Sequence, residues 1–105
     1  MRDFMGMMKQ AAQLQSKMQE MQAELDMIEV EGVAGAGLVL VKLSAKGDLK
    51  HVRIDNSLMK ESEKEVLEDL LIAAHADARR KAETVLAEKM KAMTGGLPLP
   101  PGLLG

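Results

Sequence analysis

The chain has 105 residues without cysteine, tryptophan or tyrosine, and its one aromatic residue is Phe4. With no thiol there is no disulfide and no thiolate metal site, which fits a reducing compartment. No apolar run approaches the roughly 20 residues that a membrane-spanning helix needs. The opening MRDFMGMMKQ carries an acid and lacks a long apolar core, unlike a signal peptide. The expectation is a soluble, cytoplasmic protein. A large excess of either charge is missing too, since 14 Lys and Arg face 16 Asp and Glu for a net −2. A strong basic excess would announce a nucleic-acid binder, and composition announces none.

Catalytic patterns are equally scarce. Gly32, Gly35 and Gly37 do not form GxGxxG and do not open a helix, so no dipole-assisted phosphate site follows. His51 and His75 stand apart from any metal-ligand or nucleophile spacing. The acids fall on solvated helix faces. The chain therefore reads as a non-enzyme with no metal, no cofactor, no small-molecule substrate and no membrane partner.

What the sequence does contain is organised around Glu29 to Asp55. Val39, Val41 and Leu43 alternate with Leu38, Leu40 and Lys42, the period of 2 that a pleated strand imposes. Ser44 to Asp48 supplies a turn in which Gly47 suits a positive φ. Beyond it Val52 and Ile54 face one way, and His51, Arg53 and Asp55 the other. The run Ile28–Glu31 is a third short strand, and Gly32, Gly35 and Gly37 mark the connection after it. Both faces of the central strand are apolar, whereas a solvated antiparallel sheet shows one polar face. Either each helix covers one face or a second copy of the chain covers Leu38 and Leu40.

Two helices flank this meander. Phe4, Met7, Ala11, Leu14, Met18, Met21, Leu25 and Ile28 recur at spacings of 3 and 4, a heptad stripe suited to packing on the sheet or on another helix. Gly6 is a weak helix position, so regular helix is expected just after it. Lys9, Gln13 and Lys17 lie one turn apart on one side. Ser62 and Glu65 offer a capping box for a second helix running to about Met93. Its acids crowd the start and Arg79, Arg80, Lys81, Lys89 and Lys91 load the end, which complements the helix dipole. Ala74, Ala78 and Ala82 permit close packing. Asp77 falls near the apolar face and needs a partner, from Arg80, Lys81 or across an interface. Gly95 and Pro98 end the helix, giving one domain over residues 1–93 and a Gly/Pro/Leu-rich tail, extended or mobile, over 94–105.

The stretches GAGLV at 35–39, VRID at 52–55, LEDLLIAAHADARRK at 67–81 and GGLPLPPG at 95–102, with Gly47 between them, resemble the YbaB/EbfC family of nucleoid-associated DNA-binding proteins. The resemblance spans the whole chain. It implies an α+β protomer, helix–three strands–helix, that forms a tweezer-like homodimer through its sheet region and binds double-stranded DNA with projecting helices. An architectural or regulatory role and a place in the nucleoid are implied with it. Two positions depart from the family pattern: Ala76 stands where Asn is common before Asp-Ala, and Leu40 where a polar or basic residue is common.

On that reading the dimer interface comprises Leu38, Val39, Leu40, Val41, Val52, Ile54, Ala74 and Ala78. The DNA-binding residues are Lys9, Gln13 and Lys17 on the first arm and Arg79, Arg80, Lys81, Lys89 and Lys91 on the second. Lys42, Lys46, Lys50 and Arg53 beside the hairpin form a competing patch. The alternative class is a protein-interaction or chaperone-like adaptor whose Met- and Gln-rich arms grip a partner chain.

Overall fold

The computed structural model describes residues 2–93. Helix α1 (Arg2–Met27) leads into strands β1 (Glu29–Ala34), β2 (Val39–Ser44) and β3 (Leu49–Ile54), and helix α2 (Lys64–Met93) closes the fold. The strands form one antiparallel sheet in the order β1-β2-β3. The expected helix–meander–helix order is the one found. The tail at 94–105 lies outside the described residues.

Register decides which face α2 covers. Val30, Gly32 and Ala34 on β1 lie opposite Leu43, Val41 and Val39 on β2, and Val52 and Ile54 on β3 continue two of those rows. Val39, Val41 and Leu43 are buried there together with Leu58, Ala74 and Ala78. Gly32 is the closest point of approach. A Cβ at this position would overlap the Ala74 carbonyl oxygen and the Ala78 backbone nitrogen, and would sit 2.7 Å from the Ala78 Cβ. Gly32 therefore belongs to β1 and seats the helix, whereas its sequence context points to the connection. The connection itself is Gly35-Ala36-Gly37-Leu38, its first three residues at positive φ. Only Ala36 pays a Cβ penalty there, of about 1–2 kcal/mol.

A polar clamp fixes α2 along β1. The Asp77 carboxylate accepts from the Val33 amide at 3.1 Å and is flanked by Lys81 and Arg80, each at 3.3 Å. Lys81 Nζ also donates to the Glu31 carbonyl at 2.7 Å. The partners foreseen for Asp77 on its own helix are present, and the backbone donor from β1 is an addition. The Val33 amide and the Lys81 ammonium, with Arg80 nearby, hold the Asp77 carboxyl below the usual carboxylate range.

Because α2 sits over β1 and β2, the same sheet face is bare at β3. Leu49 (58% exposed) and Ile72 (69%) flank an open groove of about 390 Å³, with Val52 and Leu71 beside them, Val41 on its floor and His75 at its rim. The residues expected to meet a second copy are mostly buried within one chain. Leu40 on the opposite face is only 8% exposed, set between Val33 and Arg53 in register, and Leu38 sits in the turn packed against the core. Among the residues expected between two copies, Val39, Val41, Ala74 and Ala78 are buried within one chain, and half-buried Ile54 packs on the same core. Val52 alone of them is exposed. The apolar surface that wants a cover is the β3 flank.

The helix ends also differ in detail. α1 starts at Arg2 and runs through Gly6, around which a side chain would meet open space. Among its C-terminal carbonyls, which lack intrahelical donors, Leu25 O accepts from the Ala45 amide of the hairpin at 3.1 Å, and the same amide donates to Ile28 O just past the helix at 2.8 Å. In place of the Ser62 capping box, α2 is reached through two 3-10 turns, Asn56–Leu58 and Glu61–Glu63. Asp55 caps the first, accepting from the Ser57 hydroxyl at 2.6 Å and its amide at 3.0 Å. Those bonds lower the Asp55 pKa.

Two outcomes follow. Gly32→Ala must lift α2 off β1, and overpacking of this kind costs about 3 kcal/mol. Urea denaturation should show a clearly lower midpoint, and an unchanged midpoint would contradict the close approach. For Asp77 the folded pKa lies below its unfolded value, so its contribution is present above about pH 4 and lost as pH falls through the folded pKa. Asp77→Asn should therefore flatten the acid side of the stability curve. Parallel wild-type and variant curves between pH 5 and 3 would show that the clamp does not discriminate charge.

Candidate nucleic-acid interface

The cations divide by whether the chain already uses them. Arg80 and Lys81 hold Asp77. Lys89 bonds Glu24 at 3.1 Å and ties the end of α2 to α1, Lys42 pairs with Glu31 at 3.5 Å, and Lys50 with Asp26 at 3.6 Å. Arg79 pairs with Glu83 at 3.4 Å one turn on, but both side chains are well exposed. Such a surface pair holds its arginine weakly, at roughly 0.3–0.5 kcal/mol. Lys9, Lys17, Lys46 and Arg53 make no ion pair among the described residues. Lys91 is exposed in the last turn of α2.

The fold joins residues that the sequence places in competing patches. Lys46 and Arg79 line one groove where the β2–β3 hairpin meets α2, Lys46 with Ala45 and Gly47 from the hairpin and Arg79 with Ala82, Glu83 and Leu86 from the helix. Gly47 has φ 100°, as the turn requires. The hairpin is held back against Ser44, whose hydroxyl accepts from the Asp48 amide at 3.2 Å. Arm and hairpin thus contribute to one basic edge. No feature of the sequence alone announces it, because 33 residues separate the two side chains and only the docking of α2 against the hairpin brings them together.

The other candidates scatter. Lys17 and Lys89 line a second groove between α1 and α2, but Glu20 and Glu24 line it with them. That groove is close to neutral. Lys9 and Gln13 lie further along α1, exposed, about 24 and 18 Å of helix from Leu25 at 1.5 Å per residue. Among the described residues no cluster of His, Cys, Asp or Glu is arranged to hold a metal ion, and no helix is long and apolar enough to cross a membrane.

The chain is similar in sequence to nucleoid-associated proteins and in shape to one solved structure. A nucleoid-associated protein of Rhodopseudomonas palustris strain TIE-1 is 68% identical over 103 residues, covering 98% of this chain and 97% of its own. One from Bradyrhizobium diazoefficiens is 67% identical over 105 residues, covering 100% and 99%. The crystal structure of an uncharacterized Helicobacter pylori protein shares the fold, with a TM-score of 0.76 at 20% identity over 85% of this chain and 94% of that one. The sequence profile of the YbaB/EbfC DNA-binding family matches residues 1–97. With the helix–meander–helix fold in place and that profile spanning almost all of it, the chain belongs to the YbaB/EbfC DNA-binding family.

Proposed function

We propose that the chain binds double-stranded DNA as a homodimer, in an architectural or regulatory role at the nucleoid. The observation that carries the reading is the shared groove of Lys46, which makes no ion pair among the described residues, and Arg79, held only by an exposed pair with Glu83. Lys9 on α1 adds an exposed cation further out. Net acidity is no obstacle, because affinity for a duplex follows the local field and the counterions released at the contact. Lys81 ties α2 to the Glu31 carbonyl and Arg80 flanks Asp77 beside it, so both rank below the groove as contacts. Lys17 and Lys89 face Glu20 and Glu24 and rank below the groove.

Two copies would meet at the bare β3 flank. Leu49, Val52, Leu71 and Ile72 form a compact apolar patch around a groove, and a two-fold axis beside it would let each patch cover the other. Covering a leucine or isoleucine side chain is worth about 1.5–3 kcal/mol. Such a dimer places two Lys46–Arg79 grooves on one assembly.

Lys46 and Arg79 are exposed cations that can neutralise phosphates, so contacts should go to phosphates and preference should follow groove shape. Removing a cation that neutralises one phosphate lowers the slope of log K against log salt by roughly 0.9 on duplex DNA. Lys46→Ala with Arg79→Ala should weaken duplex binding and flatten that slope, measured by titrating labelled DNA at several salt concentrations. Arg80→Ala with Lys81→Ala should instead lower the urea midpoint. If the groove pair leaves affinity and slope unchanged while the protein still binds DNA, the groove is not the contact.

A further inference from the structure

The heptad stripe of α1 is covered only at its C-terminal end. Leu25 is buried and Met21 half-buried near the end of α2, where Ala92 is a neighbour. From Met18 back to Phe4 the stripe lies bare, with Phe4 66% and Leu14 52% exposed. Sixteen residues, Asp3 to Met18, therefore carry an unpartnered apolar seam about 24 Å long.

The residues beside the seam say what fits it. With Phe4, Ala11 and Met18 at heptad position a, and Met7 and Leu14 at d, the g positions are Asp3, Gln10 and Lys17. In an antiparallel pair of helices, a packs against d of the partner and g lies against g. Two copies of this segment, centred on residue 9, set Phe4 against Leu14 and Met7 against small Ala11, twice each. The same register sets Asp3 against Lys17 at both ends, Gln10 against Gln10, and Met8 against Met8 on the other flank. Neither Asp3 nor Lys17 has an ion-pair partner among the described residues of its own chain. A parallel pair would face Ala11 with Ala11, leaving a thin layer, and would leave both charges opposite neutral side chains.

We infer that the α1 arms of two copies of this chain pair antiparallel through residues 3–18. The segment is self-complementary in apolar size and in charge in that register. Lys9, at position f, points away from the seam and stays open. The contact is short, hence weak and reversible, and it is separate from the β3 flank. A chain that used both surfaces could link assemblies end to end. Nothing in this inference requires DNA.

Because the chain has no native cysteine, single substitutions report position cleanly. Full-length Phe4→Cys mixed with full-length Leu14→Cys should form a mixed disulfide under mild oxidation. It should form at least about tenfold faster than disulfides of Gln13→Cys, which faces away from the seam, because pairing raises the effective concentration. Reversing one charge, as Asp3→Lys or Lys17→Asp in the cysteine background, should slow the reaction, and reversing both should restore it. Two results overturn the inference. A Phe4→Cys homodimer forming as fast as the mixed species would mean parallel pairing. A mixed rate no faster than that of Gln13→Cys would mean the arms do not pair, leaving the stripe to a different partner.

Discussion

The fold depends on how near α2 comes to β1 at Gly32. Only a residue without a Cβ lets the Ala74–Ala78 stretch rest on the strand backbone, and only at that distance can Asp77 reach the Val33 amide and Lys81 the Glu31 carbonyl. Steric fit and charged hydrogen bonds point to the same docking position, the kind of agreement between levels that makes a landscape funnel-like. A helix held this tightly to β1 covers β1 and β2, and a single helix is too narrow to cover β3 as well. The bare apolar flank is thus a geometric consequence of the clamp.

The same contact sorts the cations. The C-terminal half of α2 carries a dense basic run, but its members meet different fates according to which side of the helix they occupy. Those toward β1 are drawn into the Asp77 network, Lys89 bridges to α1, and Arg79 turns toward the hairpin. The hairpin in turn ends α1, since the Ala45 amide answers the carbonyls of Leu25 and Ile28. Beyond that point α1 has no further support from the sheet. The molecule is accordingly long, 71 × 25 × 17 Å, with a radius of gyration of 19.5 Å, where a compact domain of this size would have about 13 Å.

Much of this is legible in the residues. Alternation in 39–43, the turn glycine at 47 and the alanines of α2 each reflect a local rule, and each appears as expected. The departures have physical causes. A glycine after a short apolar run signals a turn or a close approach equally well, and only the position of α2 separates Gly32 from Gly35 and Gly37. Leu40 reads as a residue awaiting a second chain because alternation cannot show that it is only 8% exposed within one chain, between Val33 and Arg53 in register. Ser62 fits the capping-box pattern, but Asp55 and two 3-10 turns organise the approach to α2 first. At the candidate site, charge counts cannot separate Arg79 from Arg80. The difference lies in one step of helix rotation relative to Asp77, which depends on tertiary docking.

The central claim is that two copies meet at the β3 flank through Leu49, Val52, Leu71 and Ile72. Sedimentation equilibrium of wild type and Ile72→Asp at micromolar concentration tests it most directly. Ile72 is well exposed within one chain, so the substitution leaves the protomer fold intact, which circular dichroism checks. Wild type should sediment with at least twice the chain mass and the variant with a shift toward a single chain. A variant that assembles like wild type, or a wild type that is a stable folded monomer, would contradict the claim.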